Sequence, residues 1–166
     1  QYARHVDLCI DHHAGNSGYA EFTLLDGSAA AAAELLYEVI CAMHVEITPH
    51  IADCLYTGLS TDTGCFRFSS TKASTHITAA KLMEAGAHVE ELNTLLFDTK
   101  PRERMEAERI ARNHLEYHLD GRCALIYLTR DEIEQSRVDP ADLEELTSLP
   151  ISIEGVKVGL TLRQQP

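Results

Sequence analysis

The feature that most constrains the fold is an alternation of short apolar segments with helical segments that begin at capping residues. Segment 4–10 has the apolar character of a short strand and leads directly into a polar triplet at 11–13. An alanine-rich run after Ser28 has strong helix propensity, with Ser28 as its predicted N-cap after a turn at Asp26-Gly27, and Thr48 followed by a proline marks the start of another helix. This alternation predicts an α/β fold with a mainly parallel sheet flanked by helices.

The organisation changes in the second part of the chain. Residues 101–121 are predicted to form one long charged helix, and residues 122–166 contain a strand, a short helix and a second strand. One short helix and two strands are too few to bury a core. We therefore expect residues 1–100 to form one domain, residues 101–121 a connector helix, and residues 122–166 the beginning of a second, smaller α/β domain.

Composition narrows the class of protein. The 166 residues carry 14 Lys and Arg against 26 Asp and Glu, a net charge of −12, which argues against a protein that coats nucleic acid. No apolar run approaches the ~18–20 residues of a membrane span, and no basic-then-apolar secretory signal opens the chain. The five cysteines are odd in number and lack C-x-x-C spacing, which favours reduced thiols and a cytoplasmic protein.

The triplet Asp11-His12-His13 is the most specific local feature, because three side chains that can bind metal follow one predicted strand. In a straight strand Asp11 and His13 share a face and His12 points to the other face. The two histidines therefore converge only where the strand ends and the chain turns. Ligands commonly bind at the carboxyl ends of parallel strands. The alternative interpretation is an ordinary polar triplet on the surface.

Asp62, within Ser-Thr-Asp-Thr-Gly at 60–64, is the second candidate. A carboxylate together with imidazoles suits a hydrolytic transition-metal site in which water is the nucleophile. Asp62 follows Asp11 by 51 residues (62 − 11), so only the fold can bring the two motifs together. The alternative interpretation is an aspartate that stabilises a turn.

Four segments carry a resemblance to a known family. They read I-D-H-H-A-G-N (10–16), D-G-S-A-A-A-A-A-E-L-L-Y-E (26–38), Y-T-G-L-S-T-D-T-G-C-F-R-F-S-S-T (56–71) and A-A-K-L-M-E-A-G-A (79–87). Together they resemble the DHH-family phosphoesterases, nearest to the nanoRNase and pAp-phosphatase proteins that are related to RecJ-like exonucleases. The resemblance covers about residues 5–110, and the region from Ala124 resembles the opening of the DHH-associated C-terminal domain. It implies a two-metal phosphoesterase, usually with manganese, with Mg²⁺ or Co²⁺ as alternatives.

The resemblance also implies a role for each site residue. His12 and Asp62 correspond to metal ligands, Asp11 lies in or next to the coordination shell, and His13 faces the substrate phosphate. Two cations neutralise the phosphate, activate a bridging water and stabilise the leaving oxygen. Two further side chains are candidates for contacts to phosphate oxygens, with a turn residue and a surface cation as the alternatives: Asn16 and Arg67.

The chain departs from the family pattern in two places. The family's motifs upstream of DHH supply a histidine and several aspartate ligands, but only ten residues precede Asp11 here. The glycine-rich substrate motif near the end of the family's C-terminal domain is also absent from this sequence. We therefore expect the sequence to be the middle of a longer protein and to hold about half of a dimetal site.

Three functions remain open from the sequence. The first is a manganese-dependent phosphoesterase that acts on short RNA, dinucleotides or 3′-phosphoadenosine 5′-phosphate (pAp), with a homodimer as a candidate assembly and no membrane partner. The second is inorganic pyrophosphate or polyphosphate hydrolysis. The third is a non-catalytic nucleotide-binding module whose metal site is incomplete. A separate pair, His114 and His118, has i,i+4 spacing that suits zinc on a helix, although exposed helix surface is the favoured interpretation.

Overall fold

A computed structural model describes residues 5–164 of the chain. The chain divides into two compact units, with the boundary between Thr99 and Lys100. Both units combine helices with a small sheet, which confirms the predicted α/β class. Among the described residues, no helix combines the length and the apolar character that crossing a bilayer requires.

The first unit contains a two-stranded parallel sheet and a set of helices. Strand β1 pairs in parallel with β2, with Asp11 opposite Leu25 at the carboxyl end. The elements, in chain order, are β1 (Leu8–Asp11), β2 (Phe22–Leu25), α1 (Ala32–Ala42), α2 (Pro49–Asp62), α3 (Ala73–Glu84), α4 (Val89–Asn93) and a π-helical turn at Thr94–Asp98.

The core of the first unit lies between α1, α2 and α3. Its buried members are Ala31, Ala52, Leu55, Tyr56, Leu59, Ala79 and Leu82. Small residues allow α1 and α2 to approach closely, because a Cβ placed on Gly58 would lie 3.2 Å from the Cβ of Ala33. Helix α2 begins as predicted, since the Thr48 hydroxyl accepts a hydrogen bond from the Ile51 N–H at 3.4 Å.

The start of α1 differs from the prediction. Ser28 was expected to follow the turn and cap the helix, but α1 begins at Ala32. Asp26 accepts the Ser28 N–H at 2.8 Å, so Ser28 belongs to the preceding turn. The buried Glu34 carboxylate instead accepts the Ala30 N–H at 2.8 Å. A side chain inside the first turn therefore satisfies a backbone donor ahead of the helix.

The second unit contains a mixed three-stranded sheet in the order β3-β4-β5, with β3 antiparallel and β5 parallel to β4. Its elements are α5 (Arg102–Asn113), β3 (Glu116–His118), β4 (Cys123–Leu128), α6 (Arg130–Ser136), α7 (Pro140–Glu145), α8 (Ser148–Ile151) and β5 (Val158–Arg163). Helix α5 packs against β4, α6 and α7 and buries Ala107 and Ala111 completely, at 0% exposure. The segment that we predicted as a connector is therefore part of this unit's core.

The long helix predicted over 101–121 is too long, because α5 ends at Asn113. The residues that follow pair with β4, with Glu116 opposite Leu125 and His118 opposite Cys123. Leu119 and Asp120 both adopt a left-handed backbone with φ of 54°, so Asp120 belongs to the turn of a β-hairpin. His118 therefore lies on a strand and shares no helix face with His114, which removes the geometry of the zinc pair.

Candidate functional site

The fold brings the ends of β1 and α2 to the same place. His12 follows the last residue of β1, and Asp62 is the last residue of α2. Helix α1 packs against both β1 and α2, and its small residues keep α2 close. Two motifs that are 50 residues apart (62 − 12) are thus placed side by side by the helix between them.

His12 and Asp62 face each other across this short gap. His12 Nε2 lies 3.3 Å from Asp62 Oδ2, and the two side chains are 18% and 45% exposed. The predicted proximity of these residues is therefore confirmed. His12 Nδ1 lies 3.4 Å from the carbonyl oxygen of Ala29. Both ring nitrogens of His12 therefore face acceptors, and a cation between Nε2 and Asp62 would place the ring hydrogen on Nδ1, where the Ala29 carbonyl accepts it.

This pair of atoms fits a divalent cation. Two ligands that each lie about 2.1 Å from an octahedral ion, at right angles to one another, are about 3 Å apart. The 3.3 Å distance between His12 Nε2 and Asp62 Oδ2 is close to that value. An imidazole nitrogen and a carboxylate oxygen are ligands that Mn²⁺, Co²⁺ and Zn²⁺ accept. The pair can therefore supply two ligands of one ion, although the metal role of both residues stays a prediction.

Asp11 and His13 form a second pair beside the first. His13 Nδ1 lies 2.7 Å from Asp11 Oδ1, and the same oxygen accepts the His13 backbone N–H at 3.1 Å. Asn16 Nδ2 donates to Asp11 Oδ2 at 2.6 Å. The hydrogen bond from Asn16, followed by those from His13, holds the pKa of the Asp11 carboxyl well below its usual range. Asp11 is therefore an ionised carboxylate that orients His13.

Asp11 does not join His12 and Asp62 in a three-ligand group. Within residues 5–164, one set of histidine, cysteine or carboxylate side chains brings three donor atoms within 4.8 Å of one another, and it is His5, Asp7 and Glu21. That exposed set precedes β1 and β2, at the end of the strands opposite to Asp11. The assignment of Asp11 as a direct metal ligand gains no support from this geometry and stays a prediction.

A tight turn after α2 fixes the surroundings of Asp62. The buried Thr63 hydroxyl donates to the Leu59 carbonyl at 2.7 Å and accepts the Phe66 N–H at 3.0 Å. Gly64 has a left-handed backbone, with φ of 55°, and a Cβ there would lie 2.5 Å from the Phe68 ring. Only glycine fits this position without displacing the ring.

Arg67 belongs to the same turn. Its Nε donates to the Gly64 carbonyl at 2.6 Å, and the side chain is exposed. This bond engages Nε, and within residues 5–164 the terminal amino groups make no hydrogen bond, so they keep the donors that phosphate oxygens bind. The turn therefore places a cation five residues after Asp62 (67 − 62).

Sequence reasoning missed one side chain near the site, Glu34, and did not foresee the main contact of another, Asn16. The buried Glu34 closes the turn that presents the Ala29 carbonyl to His12. Asn16 was considered as a phosphate contact, and its bond to Asp11 was not foreseen. The capping-type spacing of a carboxylate three residues after Ala31 is a usable signal for Glu34. The Asn16 contact depends on a turn whose path the sequence alone does not specify.

No known protein-family profile matches the chain, but curated proteins and a solved structure do. A bifunctional oligoribonuclease and PAP phosphatase from Thermus thermophilus is 29% identical over 156 residues, which are 94% of this chain and 46% of that protein. A probable protein of the same name from Streptococcus mutans is 25% identical over 149 residues, covering 90% of this chain and 47% of its own length.

The crystal structure of an exopolyphosphatase-related protein from Bacteroides fragilis matches with a TM-score of 0.82 and 25% identity, over 91% of this chain and 45% of that chain. The chain thus spans a little under half the length of the relatives that it matches. The similarity to oligoribonucleases and PAP phosphatases, first seen in four segments of the sequence, is confirmed over about nine-tenths of the chain.

Proposed function

We propose that the protein containing this chain is a metal-dependent phosphoesterase that hydrolyses very short oligoribonucleotides, dinucleotides or pAp. The observation that carries the proposal is the 3.3 Å approach of His12 Nε2 to Asp62 Oδ2. The curated relatives, which are named oligoribonuclease and PAP phosphatase, support the same class of substrate. A cytoplasmic location and a homodimer are predictions that accompany this proposal.

His12 and Asp62 would together hold one divalent cation, with Mn²⁺ as the expected metal. When bound, the ion neutralises phosphate charge and supplies a water that is deprotonated near neutral pH. His12 would contribute Nε2, because a cation bound there places the ring hydrogen on Nδ1, next to the Ala29 carbonyl. A chain with a net charge of −12 otherwise repels an anionic substrate, so a local cation is required for binding.

His13 is proposed to act on the phosphate. Its Nδ1 faces the Asp11 carboxylate at 2.7 Å, so Nε2 is the ring atom left to face a substrate. With the Asp11 carboxylate accepting the hydrogen on Nδ1, a second ring hydrogen on Nε2 would donate a hydrogen bond to a non-bridging phosphate oxygen. That bond strengthens as negative charge builds in the transition state. Arg67, on the turn after α2, is proposed to contact a second phosphate oxygen.

The test is an assay of the full-length protein with Mn²⁺ against a dinucleotide, pAp, a cyclic dinucleotide and pyrophosphate. Release of nucleoside monophosphate or of inorganic phosphate from the first two substrates is the expected result. The variant His12→Ala should lose this activity, whereas His118→Ala, a matched change of an exposed histidine on β3, should retain it. Equal activity in the two variants would rule out the proposed metal site.

One observation favours a second candidate function. The solved structure with the TM-score of 0.82 is described as an exopolyphosphatase-related protein, so inorganic pyrophosphate or polyphosphate is the alternative substrate. Turnover of pyrophosphate or polyphosphate without turnover of dinucleotide or pAp would select this function. Nucleotide binding without any turnover would instead favour a non-catalytic binding module.

A further inference from the structure

We infer that Asn16 is a positioning residue: it locks the Asp11 carboxylate so that Asp11 holds His13 with Nδ1 protonated and Nε2 directed toward the substrate. The inference rests on the proposed function for its kinetic consequences and on geometry for its structural ones. It replaces the expectation that Asn16 contacts the phosphate directly.

The side chain of Asn16 has no donor left for a substrate. One amide hydrogen is directed to Asp11 Oδ2 at 2.6 Å, and the other has the Cys9 sulfur as an acceptor at 3.5 Å. The amide oxygen accepts the Gly18 N–H at 2.7 Å. An asparagine amide offers two hydrogens and one oxygen, so all of these groups are engaged within the protein.

The loop that carries Asn16 is folded back onto β1. The Asn16 backbone N–H donates to the His13 carbonyl at 3.0 Å, which closes a turn directly after the triplet. Gly18 adopts a left-handed backbone with φ of 65°, as the path of the loop requires. Tyr19 then contacts the Cys9 sulfur through its hydroxyl at 3.4 Å. The loop is therefore held to the triplet by the Asn16 backbone and to β1 by Tyr19.

Asp11 is held at both oxygens. Oδ2 accepts from Asn16, while Oδ1 accepts from the backbone N–H and the ring Nδ1 of His13. The Asp11 side chain is only 19% exposed, whereas His13 is 77% exposed. Within residues 5–164 the His13 ring has no other hydrogen-bond partner. The orientation of an exposed catalytic imidazole thus depends on one carboxylate, and that carboxylate depends on Asn16.

This arrangement determines which ring nitrogen of neutral His13 carries the hydrogen. An ionised carboxylate only accepts hydrogen bonds, so the neutral His13 ring must carry its hydrogen on Nδ1. Without the hydrogen bond from Asn16, Asp11 can rotate about its side-chain bonds and the His13 ring can turn with it. A displacement of about 1 Å at a reacting group can reduce the rate about a hundredfold.

The test compares Asn16→Asp with Asn113→Asp in the full-length protein. Asn16→Asp keeps the shape of the side chain and replaces the donor to Asp11 by an oxygen that repels it. Asn113→Asp makes the same chemical change at the exposed end of α5. Three quantities are measured for each variant: kcat and KM on the best substrate, bound manganese, and the ring ¹⁵N spectrum of His13 at a pH where the imidazole is neutral, assigned with His13→Gln.

Asn16→Asp is expected to lower kcat by about ten- to a hundredfold, with KM changed less than about threefold and manganese content unchanged. The His13 spectrum should move from the Nδ1-protonated form toward the Nε2-protonated form that a histidine side chain free in water prefers. Asn113→Asp should match the wild type in all three. If Asn16→Asp fails to fold, Asn16→Ala, which removes the donor without adding charge, gives the same comparison.

Two results would overturn the inference. One is a raised KM with kcat preserved, which a direct substrate contact predicts. The other is an Nδ1-protonated His13 ring in the Asn16 variants. If the wild-type protein hydrolyses none of the substrates, the proposed function fails, and the His13 spectrum alone decides whether Asn16 positions the ring.

Discussion

His12 and His13 are adjacent in the chain but have different surroundings, which predicts different roles. His12 is 18% exposed and faces Asp62, whereas His13 is 77% exposed and faces Asp11. Their rings are 4.5 Å apart and tilted by 56°, so the two ring planes point in different directions. This difference in surroundings agrees with the proposal that His12 binds the metal and His13 the substrate phosphate.

A pair of alanine substitutions separates these roles. In the full-length protein, His13→Ala should keep its manganese content but lose about a hundredfold or more in kcat, which corresponds to roughly 3 kcal/mol of transition-state stabilisation. His12→Ala should lose manganese as well as activity. Metal analysis of the purified proteins, together with steady-state kinetics, measures both. If His13→Ala contained no manganese and His12→Ala retained it, the metal-binding and substrate-binding roles of the two histidines would have to be exchanged.

For individual residues, the sequence predicts which side chains lie close together but not how they are oriented. The contact of His12 with Asp62 follows from two motifs whose spacing matches a known pattern. The hydrogen bonds of Asn16 depend on the left-handed Gly18 and on a turn closed by the His13 carbonyl. Neither feature has a sequence signal strong enough to separate a positioning residue from a substrate contact.

Helix α1 shows why small residues matter between elements. Ala31 is completely buried at its start, at 0% exposure, whereas Ala32 is only half-buried. Ala31→Leu should therefore overpack this site and reduce the free energy of unfolding by ~1–3 kcal/mol. Ala32→Leu is the matched control and should cost less. Chemical denaturation of both variants measures the difference, and equal losses would show that the burial of Ala31 does not govern packing here.

The sequence predicts the starts of α2 and α7 but not the start of α1, the end of α5 or the short strand β3. Thr48 and Asp139 cap α2 and α7 as their residue types suggest, with Asp139 accepting the Ala141 N–H at 2.8 Å. Strand β3 is only three residues long and fully exposed, so no apolar pattern marks it. Strand β3 forms because it pairs with the edge of β4, so tertiary contacts and not local sequence determine it. Helix α6 was missed although the capping box of Thr129 and Glu132 at its start is a sequence signal.

The start of α6 predicts a dependence of stability on pH. Glu132 accepts hydrogen bonds from His114 Nε2 at 2.6 Å and from the N–H and hydroxyl of Thr129 at 2.9 and 2.7 Å. The bond from His114, followed by those from Thr129, lowers the pKa of Glu132 from 4.5 to about 2. Because the folded pKa is depressed, the ionised form stabilises the folded state.

The depressed pKa of Glu132 determines the pH range over which this residue affects stability. The contribution of Glu132 is fully present above about pH 4.5, its ordinary pKa, and is lost as the pH falls toward about 2. Glu132→Gln should therefore be less stable than the wild type at pH 6, and the difference should shrink as the pH is lowered from 4.5. Thermal unfolding followed by circular dichroism across this range tests it. A constant difference between the two proteins would show that another group is responsible.

Across the whole molecule, positive charge is scarce and unevenly distributed. The chain has 14 Lys and Arg against 26 Asp and Glu, yet three of these cations gather around one buried carboxylate. Glu108, 4% exposed on α5, lies 2.8 Å from Lys100 Nζ, 3.5 Å from Arg104 Nε and 3.7 Å from an Arg112 guanidinium nitrogen. Composition alone predicts an acidic surface, but it does not locate such a cluster, because burial decides which charges need partners.

This cluster makes the second unit sensitive to the loss of one negative charge. Burial alone would raise the pKa of Glu108, but the hydrogen bond from Lys100 and the charges of Lys100, Arg104 and Arg112 outweigh it and lower the pKa, so the side chain is ionised. Glu108→Gln keeps the shape and removes the charge, and it should reduce the free energy of unfolding by ~1.5–3 kcal/mol, the usual worth of a hydrogen bond to a charged group.

Glu106→Gln on the same helix is the matched control, because its partner Arg109 is 60% exposed and Glu106 itself 47% exposed, and exposed pairs contribute only ~0–1 kcal/mol. Hydrogen exchange of the β4 amides, which lie against α5, reports the stability of this unit directly. Faster exchange in Glu108→Gln than in Glu106→Gln is expected. Equal exchange in the two variants would mean that the three cations are stabilised by solvent and do not depend on Glu108.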